Sequence, residues 1–166
     1  MQKTAIITGA SSGIGAATAE QFLAHGYDVI SIARRPSPVQ GVINIAADLS
    51  TDDGAVAAAH ACKAHLRGEV GQIALVHNAS LMLKDSAASC ETEAMMRVLA
   101  VNVLAVNTLN RHLLPSMAAG SSVIFVGSTL SEKAVAGAYS YVVSKHAQLG
   151  QMRATCQDLI GSGIHT

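Results

Sequence analysis

Charged side chains are scarce in this chain, and the two signs balance. The 166 residues include 11 Lys and Arg and 11 Asp and Glu, so only 13% are charged and the formal net charge is zero. Nucleic acids and anionic lipid surfaces are bound mainly through an excess of basic side chains. The composition therefore argues against both partners and leaves small molecules as the expected ligands.

Cysteine is sparse too, and the three thiols are widely spaced. Cys62, Cys90 and Cys156 form no C-x-x-C pair, which argues against a disulfide framework or a zinc site and suits a reducing compartment. His60 and His65 lie near Cys62, but offsets of two and five residues do not share one face of a helix. We therefore interpret these three as ordinary helix residues and expect no metal.

Long apolar runs are absent as well. No stretch approaches the roughly 20 apolar residues that cross a bilayer. The first predicted strand begins at residue 4, so we expect no leader peptide. Half of the residues are nevertheless hydrophobic, enough for a substantial core. We expect one domain over residues 1–166, located in the cytoplasm.

The most informative motif is a turn with three glycines, Gly9, Gly13 and Gly15. An apolar, β-branched run over residues 4–8 predicts a buried strand before it, and residues 16–23 have helical spacing after it. Glycines at the start of a helix let backbone N–H groups approach an anion such as a pyrophosphate. An ordinary tight turn is the alternative, but the flanking strand and helix favour phosphate binding.

The second predicted strand, residues 28–33, ends at Arg34-Arg35. In a dinucleotide-binding fold this strand end faces the adenosine ribose, where an acidic residue would bind the 2′-hydroxyl. Arg34 suits a phosphate better than a hydroxyl, so the sequence favours NADP(H) over NAD(H). A solvated basic pair is the alternative interpretation.

Strands and helices alternate along the rest of the chain. Further strands are predicted over 42–46, 73–76 and 122–127, and helices over 52–66, 91–117 and 138–159. Gly68 and Gly71 are expected to end the helix over 52–66. This alternation predicts a doubly wound parallel sheet of the Rossmann type, with five strands and helices on both faces. The start of another strand is expected near Ile164.

Tyr141 and Lys145 stand four residues apart in the last predicted helix, so their side chains share one face. A nearby ammonium favours the phenolate and brings the tyrosine pKa from about 10 toward neutrality. The pair alone could be an ordinary helix surface, but Ser128 at the tip of the fifth strand places it at the ligand-binding edge of the sheet. Asn102 interrupts an apolar helical stripe and needs a partner or a purpose. Asp48 either opens a turn or contacts the adenine.

In this order, the glycine turn, Asp48, Asn78-Ala79, Asn102, Ser128 and Tyr141-x-x-x-Lys145 resemble the classical short-chain dehydrogenase/reductase family. The resemblance covers essentially the whole chain. It implies that Tyr141 exchanges a proton with a carbonyl or alcohol oxygen, that Lys145 lowers the tyrosine pKa and binds the nicotinamide ribose, and that Ser128 hydrogen-bonds the substrate. Asn102 would hold a proton-relay water.

The same resemblance implies a cofactor site. Its residues would be Gly9, Ser11, Ser12, Gly13, Ile14, Gly15, Arg34, Asp48, Leu49, Asn78 and Ala79, together with Tyr141 and Lys145. The family also implies a homodimer or homotetramer.

Two features depart from the family pattern. Ser80 replaces a glycine near the cofactor ribose, and the family's segment after the sixth strand, which carries most of the substrate pocket, is not in this sequence. A catalytically silent nucleotide-binding or oligomerisation module is therefore the rival interpretation. An extended-type epimerase or dehydratase uses another glycine spacing and fits less well.

Overall fold

The computed structural model describes residues 3–66 and 71–166. Five strands form one parallel sheet in the order β3-β2-β1-β4-β5. Their bounds are β1 Lys3–Thr8, β2 Asp28–Ala33, β3 Ile43–Ala46, β4 Gln72–His77 and β5 Ser122–Phe125. The order reverses between β1 and β4, which is where ligands bind in doubly wound sheets. The predicted fold class is confirmed.

The described part of the chain also has five α-helices: α1 Gly13–Ala24, α2 Asp52–His65, α3 Thr92–Leu99, α4 Ala105–Leu113 and α5 Tyr139–Asp158, the last of which follows β5. The Thr51 hydroxyl accepts a hydrogen bond from Gly54 N at 3.1 Å and so caps α2. Gly68, one of the two glycines expected to end this helix, lies outside the described residues; Gly71 directly precedes β4.

The predicted continuous helix over 91–117 is wrong. A π-helical segment, Ala100–Leu104, separates α3 from α4, and a 3₁₀ turn, Leu114–Ser116, follows α4. Pro115 in that turn has no N–H to continue an α-helix. The wider π turn is centred on Asn102, which is fully buried. Such segments are frequent at functional sites.

The core has two halves because successive residues of β1 point to opposite faces of the sheet. Ile6 packs in a cluster that includes Ala58 of α2 and Leu109 of α4. Ile7 packs on the other face with Ala19 of α1. Each buried isoleucine contributes roughly 1.5–3 kcal/mol, so the strand that leads into the glycine turn is held from both sides.

The sheet continues slightly past β5. β5 ends at Phe125 instead of the predicted residue 127, although Val126 N still donates to the His77 carbonyl at 3.0 Å. His165 forms a parallel bridge with Ser122, and Val123 N donates to the His165 carbonyl at 2.8 Å. At the position where another strand is expected, near Ile164, the backbone of His165 therefore pairs with β5 as a neighbouring parallel strand would. Within the described part of the chain, no helix is long and apolar enough to cross a membrane.

Candidate cofactor and active site

The glycine turn leaves β1 in a backbone conformation that needs glycine. Gly9 has φ +75° and Gly13 has φ +56°, a region that side chains with a Cβ rarely adopt. Gly15 is required for a different reason: a Cβ there would lie 2.5 Å from both the Gly9 carbonyl oxygen and Asn78 Nδ2. The start of α1 is thereby packed directly on the ends of β1 and β4.

The N-terminus of α1 is left open to a ligand. Ser12 occupies the cap position but its side chain accepts no capping hydrogen bond, and the first turn contains no acidic residue. The first N–H groups of a helix carry partial positive charge and need acceptors. A cradle of this kind suits a pyrophosphate, whose oxygens would supply those acceptors.

Side-chain hydrogen bonds join the ends of β1 and β4. The Thr8 hydroxyl accepts from Asn78 N at 3.0 Å and from Ala79 N at 2.9 Å. In return, Asn78 Nδ2 donates to the carbonyls of Thr8 at 2.9 Å and Gly9 at 3.2 Å. The Asn78 side-chain amide therefore holds the carbonyls at the start of the glycine turn in place. Asn78 and Ala79 also line the cleft described next.

An open cleft of about 630 Å³ lies at this edge of the sheet. Its lining includes these residues of the predicted cofactor set: Gly9, Ser11, Ser12, Ile14, Arg34, Asp48, Leu49, Asn78 and Ala79. Four members of that set do not line it: Gly13 is at the surface, Gly15 is buried in the packing, and Tyr141 and Lys145 lie on α5. Ser80, which stands where the family has glycine, also borders the cleft.

Three arginines line this cleft, namely Arg34, Arg35 and Arg97. The pKa of Asp48 is held below its usual range, chiefly because the Ser50 backbone N–H and hydroxyl donate to the carboxylate, with Arg34 and Arg97 adding to the effect. Arg97, on α3, was missed from the sequence because nothing in a helical pattern indicates which strand end a helix will face.

The Tyr141–Lys145 pair lies on α5, as its spacing predicts. Lys145 Nζ is 5.7 Å from the centroid of the Tyr141 ring. The ammonium donates to the Val126 carbonyl at 3.1 Å and to Gln148 Oε1 at 2.8 Å. Burial lowers the pKa of Lys145. The lysine is thus anchored to the residue that follows β5, and so to the same sheet edge as the cleft.

The buried side chain of Asn102 makes three hydrogen bonds. Its Oδ1 accepts from Leu81 N at 2.7 Å, and its Nδ2 donates to the Leu81 carbonyl at 2.9 Å and to Ser144 Oγ at 2.8 Å. Ser144 Oγ donates in turn to the Tyr141 carbonyl at 2.7 Å. The π segment is therefore tied both to the loop after β4 and to the helix that carries Tyr141.

Ser128 caps the short 3₁₀ turn Thr129–Ser131. Its Oγ accepts from Leu130 N at 3.1 Å. Within the described residues, no hydrogen bond joins Ser128 to Tyr141. A serine hydroxyl that accepts one bond still has its own proton to donate, so this position remains available to a substrate oxygen.

His77 occupies the last position of β4. Its ring is buried, with Nε2 2.8 Å from Asn110 Oδ1 on α4 and the ring centroid 5.2 Å from that of Phe125. Burial lowers its pKa to about 4, so it is neutral near pH 7. It supports the sheet edge and has no access to the cleft.

The comparisons with known proteins agree with this geometry. The family described as short chain dehydrogenase matches residues 3–166. Short-chain dehydrogenase reductase 5 of Arabidopsis thaliana is 33% identical over 98% of this chain, which spans 66% of that relative's length. The chain is thus slightly shorter than two thirds of that protein.

Solved structures show the same fold. A metagenomic short-chain oxidoreductase in complex with NADP has a TM-score of 0.88 and 27% sequence identity to this chain. The match covers 98% of this chain and 77% of the metagenomic chain. A Brucella ovis oxidoreductase of the short chain dehydrogenase/reductase family, in complex with a partially ordered NAD, has a TM-score of 0.89 and 28% identity, covering 99% and 80%. With the open glycine turn, the cleft and the Tyr141–Lys145 pair in place, this chain belongs to the short-chain dehydrogenase/reductase family.

Proposed function

We propose that the protein is an NADP(H)-dependent oxidoreductase that interconverts a carbonyl compound and an alcohol. One observation supports this above the others. The buried ammonium of Lys145 lies beside the Tyr141 ring and is fixed to the residue after β5, at the sheet edge that also carries the uncapped start of α1. A phosphate cradle and an activated phenol at one edge suit hydride-transfer chemistry.

The described residues fit the dinucleotide. The first turn of α1 offers N–H groups without a capping side chain, and the packed Gly15 allows close backbone approach. Arg34 would hold the 2′-phosphate and Asp48 with Leu49 would border the adenine, since all three line the cleft. Solved relatives of similar identity carry NADP in one case and NAD in another; Arg34 is our reason for favouring NADP(H).

The chain's own residues would then manage the proton. Tyr141 donates its phenolic proton to the carbonyl oxygen during reduction and takes it back during alcohol oxidation. Lys145 stabilises the phenolate through its positive charge, and its third N–H is available for the nicotinamide ribose. Ser128 donates a hydrogen bond to the substrate oxygen. When bound, the nicotinamide supplies or accepts the hydride.

Asn102 has the least direct role in this proposal. It would hold a water that carries protons to Lys145, while its bond to Ser144 keeps α5 in place. The homodimer or homotetramer implied by the family stays a prediction, which the mass in solution tests. Met96 and Leu104, 63% and 59% exposed on α3 and the π segment, are suited to such contacts.

The test of catalysis is Tyr141→Phe, which removes only the hydroxyl. We expect turnover of NADPH with a panel of ketones to fall by at least 10³-fold while NADPH binding stays within a few-fold, because the phenol acts on the proton alone. Tyr139→Phe is the matched control, since Tyr139 begins the same helix and is 42% exposed. Retained turnover in Tyr141→Phe would refute the assignment. Binding of NADPH without turnover in the unaltered chain would favour the silent module.

A further inference from the structure

Lys145 lies in an enclosed environment with an uncharged partner. Its side chain and that of Gln148 are each 2% exposed. Nζ lies 2.8 Å from Gln148 Oε1 and 3.1 Å from the Val126 carbonyl oxygen. Within the described residues, no carboxylate pairs with this ammonium. Two neutral acceptors therefore replace the water that Lys145 loses on burial.

The orientation of the Gln148 amide follows from the lysine. An ammonium has three donors and no acceptor, so the amide must present its oxygen to a charged Lys145. Gln148 Nε2, the other end of the amide, is buried without a hydrogen-bond partner. A buried unpaired N–H is costly, and a leucine of similar size would avoid that cost. The amide is thus satisfied only where it contacts Lys145.

We propose that Gln148 is a positioning residue that, together with the Val126 carbonyl, holds the Lys145 ammonium beside Tyr141. Residues three apart on a helix face the same side, so Gln148 reaches Nζ from one turn further along α5. The bonds to Gln148 Oε1 and to the Val126 carbonyl engage two of the three N–H groups of the ammonium. The effect of this arrangement on turnover rests on the proposed function, whereas its effect on the lysine does not.

Loss of the Gln148 acceptor changes the charge beside Tyr141. Burial alone favours the neutral amine and lowers the pKa of Lys145, and each hydrogen bond to the charged form opposes this. Tyr141 is the titratable group that faces Nζ from α5. From outside α5, among the described residues, the group that hydrogen-bonds Nζ is the uncharged Val126 carbonyl. Without the amide, the ammonium would deprotonate at lower pH, and less positive charge would stand beside the Tyr141 hydroxyl.

The direct test is a titration of Lys145 that needs no substrate. The protein is labelled with ¹³Cε-lysine, the Lys145 resonance is assigned by its loss in Lys145→Arg, and its shift is followed against pH. We expect Gln148→Met, which keeps the chain length and removes the amide, to lower the midpoint by at least one pH unit. Gln151→Met is the matched control, because Gln151 donates to the Val103 carbonyl at 3.3 Å one turn further on α5. Its midpoint should equal that of the unaltered protein.

Gln148→Glu keeps an oxygen acceptor and adds negative charge, so it should raise the midpoint. If Gln148→Met does not fold, the Lys145 midpoint in Gln148→Glu tests the positioning role instead. A midpoint unchanged in folded Gln148→Met, or unchanged in Gln148→Glu, overturns the positioning role.

The activity arm separates this proposal from the proposed function. In alcohol oxidation, the rising limb of kcat/KM against pH should move to higher pH in Gln148→Met and stay in place in Gln151→Met. A shifted lysine midpoint with no turnover in any form, the unaltered chain included, would support the positioning role and contradict the oxidoreductase. A shifted lysine midpoint with an unmoved rate profile in an active enzyme would overturn the link to Tyr141.

Discussion

At the scale of single residues, the buried His77 makes the stability of the fold depend on pH. Its ring is 1% exposed, and burial holds its pKa at about 4, against an ordinary value of 6.5. Between those values the unfolded chain binds a proton that the folded chain does not. Stability is therefore retained above pH 6.5 and falls as the pH drops toward 4.

We expect urea denaturation to show this loss, on the order of 3 kcal/mol across the interval. His77→Asn should lower stability at pH 7 but flatten the dependence between pH 6.5 and 4. An equal slope in His77→Asn and the unaltered protein would refute this account.

The residues that sequence reasoning located are those whose pattern is local. Tyr141 and Lys145 follow from a spacing of four on one helix, and the buried Asn102 follows from a polar residue within an apolar stripe. Gln148 was not predicted, since a glutamine in a helix reads as a surface residue until its neighbours are known. Ser144 was missed for the same reason, because its partner Asn102 comes from another element.

At the scale of elements, the contact between α1 and the end of β4 depends on Gly15. Gly15→Ala would place a Cβ 2.5 Å from the Gly9 carbonyl oxygen and Asn78 Nδ2, so we expect a loss of about 1–3 kcal/mol in the free energy of unfolding. Gly150→Ala on α5 is the matched control. Its added Cβ meets no atom within 4 Å, and alanine should stabilise that helix by about 0.5–1 kcal/mol. Equal effects of the two substitutions, measured in urea, would contradict this packing.

The elements themselves were largely predictable, with one instructive exception. β2 has the bounds 28–33 that its apolar run predicts, because a buried parallel strand is apolar on both faces. The break within the predicted helix 91–117 was not foreseeable, since the apolar stripe continues through it. The π segment allows Asn102 to bond both Leu81 and Ser144, and that requirement is tertiary.

At the scale of the whole molecule, the candidate site is assembled from five strand ends. β1 leads into the glycine turn, β2 into Arg34, β3 into Asp48 and β4 into Asn78, and the residue after β5 anchors Lys145. Parallel strands bring these ends to one edge, which is why a sequence with the right order of motifs could predict their meeting. The distances between them, and the part played by Arg97 in the electrostatics of the cleft, required the folded chain.

The central claim, that this edge holds NADP(H), is tested most directly by the dissociation constants of NADPH and NADH, measured by fluorescence titration. We predict NADPH to bind at least tenfold more tightly than NADH, since a guanidinium–phosphate hydrogen bond contributes about 1.5–3 kcal/mol and each 1.4 kcal/mol is tenfold. Arg34→Gln should abolish that preference, while Arg153→Gln, at an exposed position on α5, should keep it. Equal affinities for the two cofactors, or a preference that survives Arg34→Gln, would contradict the account.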